Sequence, residues 1–164
     1  MKYLLLILIL LTPQLNELWS SEILNPYLGL GGGYTDGKKY HGGIFQIEYL
    51  LSKYHFKLVR PEAIFVSPLF KAFFFGMGAR AEIRVCKHIL FNPSFVPGLY
   101  VKGSWRDLGF PLEFRSCLEF AYEFTNKSRI GLQISHISNG SLSQKNPGLN
   151  SFTAILAKPL SSPN

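Results

Sequence analysis

Within these 164 residues, the stretch whose residue types and spacing could do chemistry is His136-Ile137-Ser138-Asn139-Gly140, followed by Asn146-Pro147-Gly148-Leu149-Asn150. If the first part is extended, His136 and Ser138 share one face, because side chains along a strand alternate with period two. An imidazole and a hydroxyl brought together in this way form a general base and a potential nucleophile, the pair that covalent acyl transfer needs.

The elements that must position this pair read as short strands. Runs of alternating character are expected near 25–34, 42–51, 56–66, 71–85, 89–103, 111–124, 129–139 and 151–159, separated by turn signals such as Thr35-Asp36-Gly37, Ser67-Pro68 and Thr125-Asn126-Lys127. In 111–124, Leu112, Phe114, Leu118, Phe120, Tyr122 and Phe124 share a face that only Ser116 interrupts, and Glu113, Arg115, Glu119 and Glu123 share the other with Cys117 and Ala121. In 71–85, Phe73, Phe75, Met77, Ile83 and Val85 oppose Gly76, Gly78, Arg80, Glu82 and Arg84. The runs holding Pro61, Pro93 and Pro97 are weaker, since proline lacks a ladder donor.

Two barrels could be built from such strands. A soluble one, of the kind that carries small ligands, would turn the apolar face inward. A membrane one would turn it to lipid and fill its interior with charges. The apolar faces are too rich in large aromatics for the lumen of an eight-stranded barrel. The polar faces mix opposite charges that can pair inside. The expected fold class is therefore all-β, an eight-stranded antiparallel transmembrane β-barrel.

Composition and leader agree. The chain is 47% hydrophobic and 15% aromatic but only 16% charged. Met1-Lys2-Tyr3, the apolar run Leu4 to Leu11 and the small residues Ser20 and Ser21 read as a secretory signal over 1–21. The barrel domain would then occupy 22–164. Beyond the leader no run approaches the ~18 apolar residues of a membrane helix. The net charge of +7 suits an acidic partner, either a phosphorylated lipid or a nucleic acid. Export favours the lipid, and there is no nucleic-acid motif. The last aromatic is Phe152, so either a short tail follows the final strand or assembly relies on signals other than a terminal aromatic.

Other residues carry less. His41, His55 and His88 lack ligand spacing, so no metal and no cofactor is expected. Gly29 and Gly31 to Gly33 precede no Lys-Ser/Thr and read as small strand residues. Cys86 and Cys117 read as two free buried thiols, with a disulfide across the lumen as the alternative. Trp105 beside Arg106 reads as an interfacial anchor.

In 129–139, Ile130, Leu132 and Ile134 form the apolar face, and His136 and Ser138 continue it. The pair therefore points toward lipid, either as an active site reached sideways from the membrane or as polar residues where the strand meets the interface.

The pattern His136-x-Ser138-Asn139-Gly140-x5-Asn146-Pro147-Gly148 resembles the lipid A 3-O-deacylase (PagL) family. The resemblance covers about 108–152, including Pro111-Leu112-Glu113-Phe114-Arg115-Ser116 and Ser128-Arg129-Ile130-Gly131-Leu132. It implies a bacterial outer-membrane serine esterase that removes an ester-linked acyl chain from lipid A in lipopolysaccharide. Its partners would be that substrate and the surrounding outer-membrane lipids, with homodimer formation left open. By the resemblance, Ser138 is the nucleophile and His136 its base. Asn139 or Asn146, with the backbone N–H of Gly140, holds the oxyanion.

In one place the chain departs from the family. The best-known members carry an acid where Asn150 stands, to orient the histidine. The corresponding Asp to Asn change in a serine protease costs about 10⁴ in turnover. No acid lies in 128–164, and Glu119 and Glu123 face the other way by parity. Three outcomes stay open: an Asn-supported hydrolase, a weak hydrolase, or a structural or lipid-binding barrel that has lost catalysis.

Overall fold

The computed structural model describes residues 25–36, 40–52 and 59–160. The expected leader, Lys38, Lys39, Lys53, His55 and Lys57 lie outside the described residues. Nine β-segments are present among those described: β1 Tyr27–Asp36, β2 Gly42–Leu50, β3 Val59–Ser67, β4 Phe73–Ala81, β5 Ile83–Cys86, β6 Ile89–Val101, β7 Leu112–Glu123, β8 Arg129–Ser138 and β9 Leu149–Pro159. Every pairing is antiparallel, with β1 against both β2 and β9. Only Glu82 separates β4 from β5, and both pair with β6, which closes the sheet. The nine segments therefore make the eight staves of a closed barrel.

Alternation explains why these segments form a barrel. Leu118, Phe120 and Tyr122 on β7 and Ile130, Leu132 and Ile134 on β8 are exposed outward. Glu119, Glu123, Gln133 and Arg129 on the same strands are buried inward. A belt of outward leucines, isoleucines and aromatics over a polar lumen is the pattern of a strand-built membrane protein.

The lumen is cross-linked by charge. Arg80 reaches Glu48 at 2.6 Å, Glu62 at 2.7 Å and Glu119 at 3.2 Å. Gln133 donates to Glu48 at 3.0 Å and accepts from Arg115 at 3.0 Å. Arg129 pairs with Glu82 and, at 3.0 Å, with Glu123. Charges removed from water are tolerated when each meets an opposite partner and further hydrogen bonds.

The interior is not polar throughout, which the alternation alone did not suggest. Toward the end carrying the 102–111 and 139–148 loops it becomes an apolar plug. Ile44, Val66, Phe74, Val96, Leu108, Ile137 and Leu149 belong to it, with Trp105 packed against it. Trp105 is thus not a membrane-interface anchor: its ring meets Tyr40 at 5.8 Å, with the Lys71 ammonium 5.3 Å above it. Both cysteines are free, but Cys86 is exposed, so the reading of two buried thiols holds only for Cys117.

Several boundaries differ from the sequence expectation, and register explains two of them. β1 continues through Thr35 and Asp36, which the turn signal Thr35-Asp36-Gly37 had excluded, because β9 offers them Ser151 and Asn150 as partners. β9 begins at Leu149 rather than 151, because it pairs with Ile137. The fourth expected strand splits at Glu82. The β4–β6 ladder passes directly from Gly76↔Gly98 to Ala79↔Phe95, skipping Pro97, and Pro93 lies beyond its last pair, Arg80↔Ser94. Both prolines therefore sit where that ladder is interrupted, which is how a residue without an N–H is accommodated.

Candidate active site

His136 and Ser138 lie at the loop end of β8, on its outer face; His136 is exposed and Ser138 half-buried. Between them Ile137, only 2% exposed, turns inward into the apolar plug beside Leu149 of β9. The strands that carry the polar residues are thus seated from behind by packed side chains. Burying such a residue contributes roughly 1.5–3 kcal/mol.

The β8–β9 register sets Asn150 directly opposite His136. Asn150 Oδ1 lies 2.6 Å from His136 Nδ1. An oxygen at that point can only accept, so in the neutral ring it pairs with an Nδ1 that carries the proton, leaving the lone pair on Nε2. This is the ring state that a general base requires.

Gly148 sets the position of the other ring edge. It directly precedes Leu149, whose pairing with Ile137 ends the β8–β9 ladder. A Cβ at Gly148 would fall 2.6 Å from His136 Cε1 and 3.1 Å from Nε2. The Cε1–Nε2 edge of the ring therefore lies against the Gly148 backbone. Gly148 also has φ +61°, a conformation that suits glycine. The sequence motif contained Gly148, but nothing in the motif assigned it this contact.

The expected oxyanion residues fall into two kinds. Asn139 is buried, and its Nδ2 donates to Leu108 O and to Lys145 O, each at 2.9 Å. Its Oδ1 accepts from Ser141 N–H at 3.0 Å. That side chain ties the 139–148 loop to the 102–111 loop. Asn146 is exposed, and its Oδ1 accepts the Asn139 N–H at 3.2 Å. This fixes the amide so that its Nδ2 points away from that bond. Gly140 is exposed with φ +59° and lies against the Phe114 ring.

The two loops are held together at their tips as well. Lys145 Nζ meets Asp107 Oδ2 at 2.9 Å, and Gly109 N–H donates to Asp107 Oδ1 at 3.0 Å. These two donors hold the Asp107 carboxyl down to about 2.

Beside His136 the outer wall is hollowed. A groove of about 350 Å³ runs along Pro93, Ser116, Leu118, Ile134, His136 and Asn150. Ser116, opposite His136 across β7 and β8, is the small residue that opens it. The lining is mostly apolar, with the polar residues gathered at one end.

Residues 23–159 match the family described as Lipid A 3-O-deacylase (PagL). The chain belongs to the lipid A 3-O-deacylase (PagL) family. Among solved structures, the crystal structure of the outer membrane enzyme PagL superposes with a TM-score of 0.61 at 16% identity, covering 82% of this chain and 99% of that one. Neisserial surface protein A (NspA) superposes with a TM-score of 0.61 at 8% identity, covering 86% of this chain and 99% of that one. Identities this low speak for the shared barrel alone. No curated protein matches the chain in sequence. Membership in the PagL family makes this an outer-membrane barrel of a lipid A ester hydrolase lineage.

Proposed function

We propose that the chain is an outer-membrane serine esterase that removes the ester-linked acyl chain at the 3-O position of lipid A. The observation that carries the reading is the His136 ring. Asn150 holds it at Nδ1 at 2.6 Å, Gly148 packs against its Cε1–Nε2 edge, and Ser138 stands two residues along the same strand. In the reaction, His136 Nε2 takes the Ser138 hydroxyl proton as Oγ attacks the ester carbonyl carbon. The Gly140 N–H and the Asn146 Nδ2 donors stabilise the oxyanion, since the Asn139 amide is engaged with two loop carbonyls. Collapse breaks the ester bond, and the sugar hydroxyl leaves with the proton from His136. Water, activated by the same imidazole, then releases the fatty acid and restores Ser138.

The groove suits the acyl chain. It lies in the outer wall beside His136, so an acyl chain enters it without leaving the bilayer. The site lies at the barrel end with the longer loops, opposite the end where the Leu160 N–H meets Pro26 O. In outer-membrane barrels the longer loops are extracellular, so the pair would face the leaflet that holds lipopolysaccharide. Export through a leader over 1–21 belongs to the same proposal.

The test is the mass spectrum of lipid A from a lipid A-producing host expressing the chain. Wild type should remove one ester-linked acyl chain, and Ser138→Ala none. Intact lipid A with a correctly assembled wild-type barrel would favour the second reading, a non-catalytic lipid-binding barrel, which the amide at Asn150 motivates.

A further inference from the structure

We infer that Asp36 is the carboxylate that sets the His136 tautomer, acting through Asn150 as a positioning residue for the proposed esterase. This rests on the serine esterase reading of His136 and Ser138.

The inference starts from the β1–β9 ladder. Asp36 is the last residue of β1, and its partner across the ladder is Asn150. Asn150 is in turn the partner of His136 in the β8–β9 ladder. Asp36, Asn150 and His136 are all exposed on the outer face. They form one transverse row across three neighbouring strands. Directly opposed side chains on one face have Cβ atoms ~4.5–5.5 Å apart, within reach of an Asp–Asn hydrogen bond. On the other side of β1 the ladder ends at Thr35↔Gly42, so β9 is where Asp36 has its ladder partner.

An asparagine beside a histidine is ambiguous in a way that a carboxylate is not. With Oδ1 toward the ring, it accepts the Nδ1 proton and leaves Nε2 basic. With the amide turned over, Nδ2 donates to Nδ1 and the proton moves to Nε2. Nε2 then cannot accept the Ser138 proton, which is the failure that follows when asparagine replaces the acid of a serine protease triad. A third group must choose between the two amide orientations. An ionised aspartate only accepts hydrogen bonds. Next to Asn150 it attracts Nδ2, turns Oδ1 to His136, and so selects the orientation in which Oδ1 lies 2.6 Å from Nδ1. The negative charge also favours the imidazolium that forms when His136 takes the proton. The acid missing from position 150 is thereby supplied one strand away.

The test is a cycle of Asp36→Ala and Asn150→Glu, each alone and combined, in the full-length protein in detergent micelles. Two quantities are read: lipid A deacylation, and the ¹⁵N shifts of the His136 imidazole, assigned with His136→Ala. Asp36→Ala alone should lower kcat about 10-fold or more, within the ~10²–10⁴ that a general base contributes, with KM little changed. The ring should change from Nδ1–H to a mixture of tautomers. In the Asn150→Glu background, Asp36→Ala should cost nothing, because a carboxylate at 150 accepts the Nδ1 proton unaided. Asp36→Glu should restore part of the activity. A His136 ring that stays Nδ1–H in Asp36→Ala overturns the inference, as does an equal loss in both backgrounds. A wild type that leaves lipid A intact, yet shows an Asp36-dependent tautomer, supports the inference and overturns the esterase reading.

Discussion

The Gly148 backbone lies against the His136 imidazole so closely that a methyl group there would stand 2.6 Å from Cε1. The loop that follows β8 therefore forms one wall around the His136 ring. Asn150, two residues later, meets the same ring at Nδ1.

Gly148→Ala should for this reason impair activity more than folding. The substitution strains a backbone at φ +61°, at roughly 1 kcal/mol or somewhat more, and displaces the ring from Ser138. Deacylation should fall at least 10-fold, as misplaced catalytic groups cost up to about 10²-fold, while heat-modifiable migration persists. Full activity in that variant would remove Gly148 from the site.

Ser116 opens the groove opposite His136. Ser116→Phe fills it with a ring that faces lipid, so the barrel should assemble normally. Turnover of long-chain lipid A should drop sharply, and a short-chain ester should be spared. Equal loss on both substrates would argue that the groove does not hold the acyl chain.

Asn139 ties the two loops through Leu108 O and Lys145 O. Asn139→Ala orphans those carbonyls and the Ser141 N–H, at about 1–3 kcal/mol for each buried group. Protection of the 139–148 amides against hydrogen exchange should fall, whereas that of β3 and β4 should not. Unchanged loop protection would contradict this tie.

The Asp107 contacts make the loop junction pH-sensitive at the acid end. Its carboxyl titrates at about 2 when folded, below the ~3.9 of a free aspartate. A depressed carboxylate stabilises the fold above its unfolded value and stops doing so as pH falls through the folded one. Exchange protection at the Gly109 amide, corrected for intrinsic rate, should hold constant above about pH 4 and decline toward pH 2. Asp107→Ala should abolish the decline; a wild type with no decline would show that the contact does not hold the loop.

Arg80 gathers Glu48, Glu62 and Glu119 in the lumen. Arg80→Ala leaves three buried acids facing one another, and breaking such a pair costs ~3–5 kcal/mol. The urea midpoint of the refolded barrel in micelles should fall accordingly. An unmoved midpoint would show that the lumen tolerates these acids without Arg80.

Much of the barrel was legible in the sequence because strand alternation is local. Glu113 to Glu123 and Arg129 to Ser135 each announce which side faces lipid without reference to any other strand. The outward direction of His136 and Ser138 followed from the same count. The apolar plug was not legible. Ile137 and Leu149 continue the polar inner faces of their strands, and only the loops packed above them explain why apolar residues replace charges there.

Asp36 is the clearest case of what the sequence could not disclose. Its neighbours Thr35 and Gly37 spell a turn, and more than a hundred residues separate it from Asn150. It also lies far outside 128–164, the segment that holds the motif. The sequence by itself determined the fold class, the family motif and the face on which the candidate base and nucleophile stand, because periodicity and composition are properties of single segments. Only the tertiary structure decided which residues stand beside that pair. Register between strands is set jointly by ladder hydrogen bonds, loop lengths and the packing behind them, and that register brought Asn150 to His136 and Asp36 to Asn150.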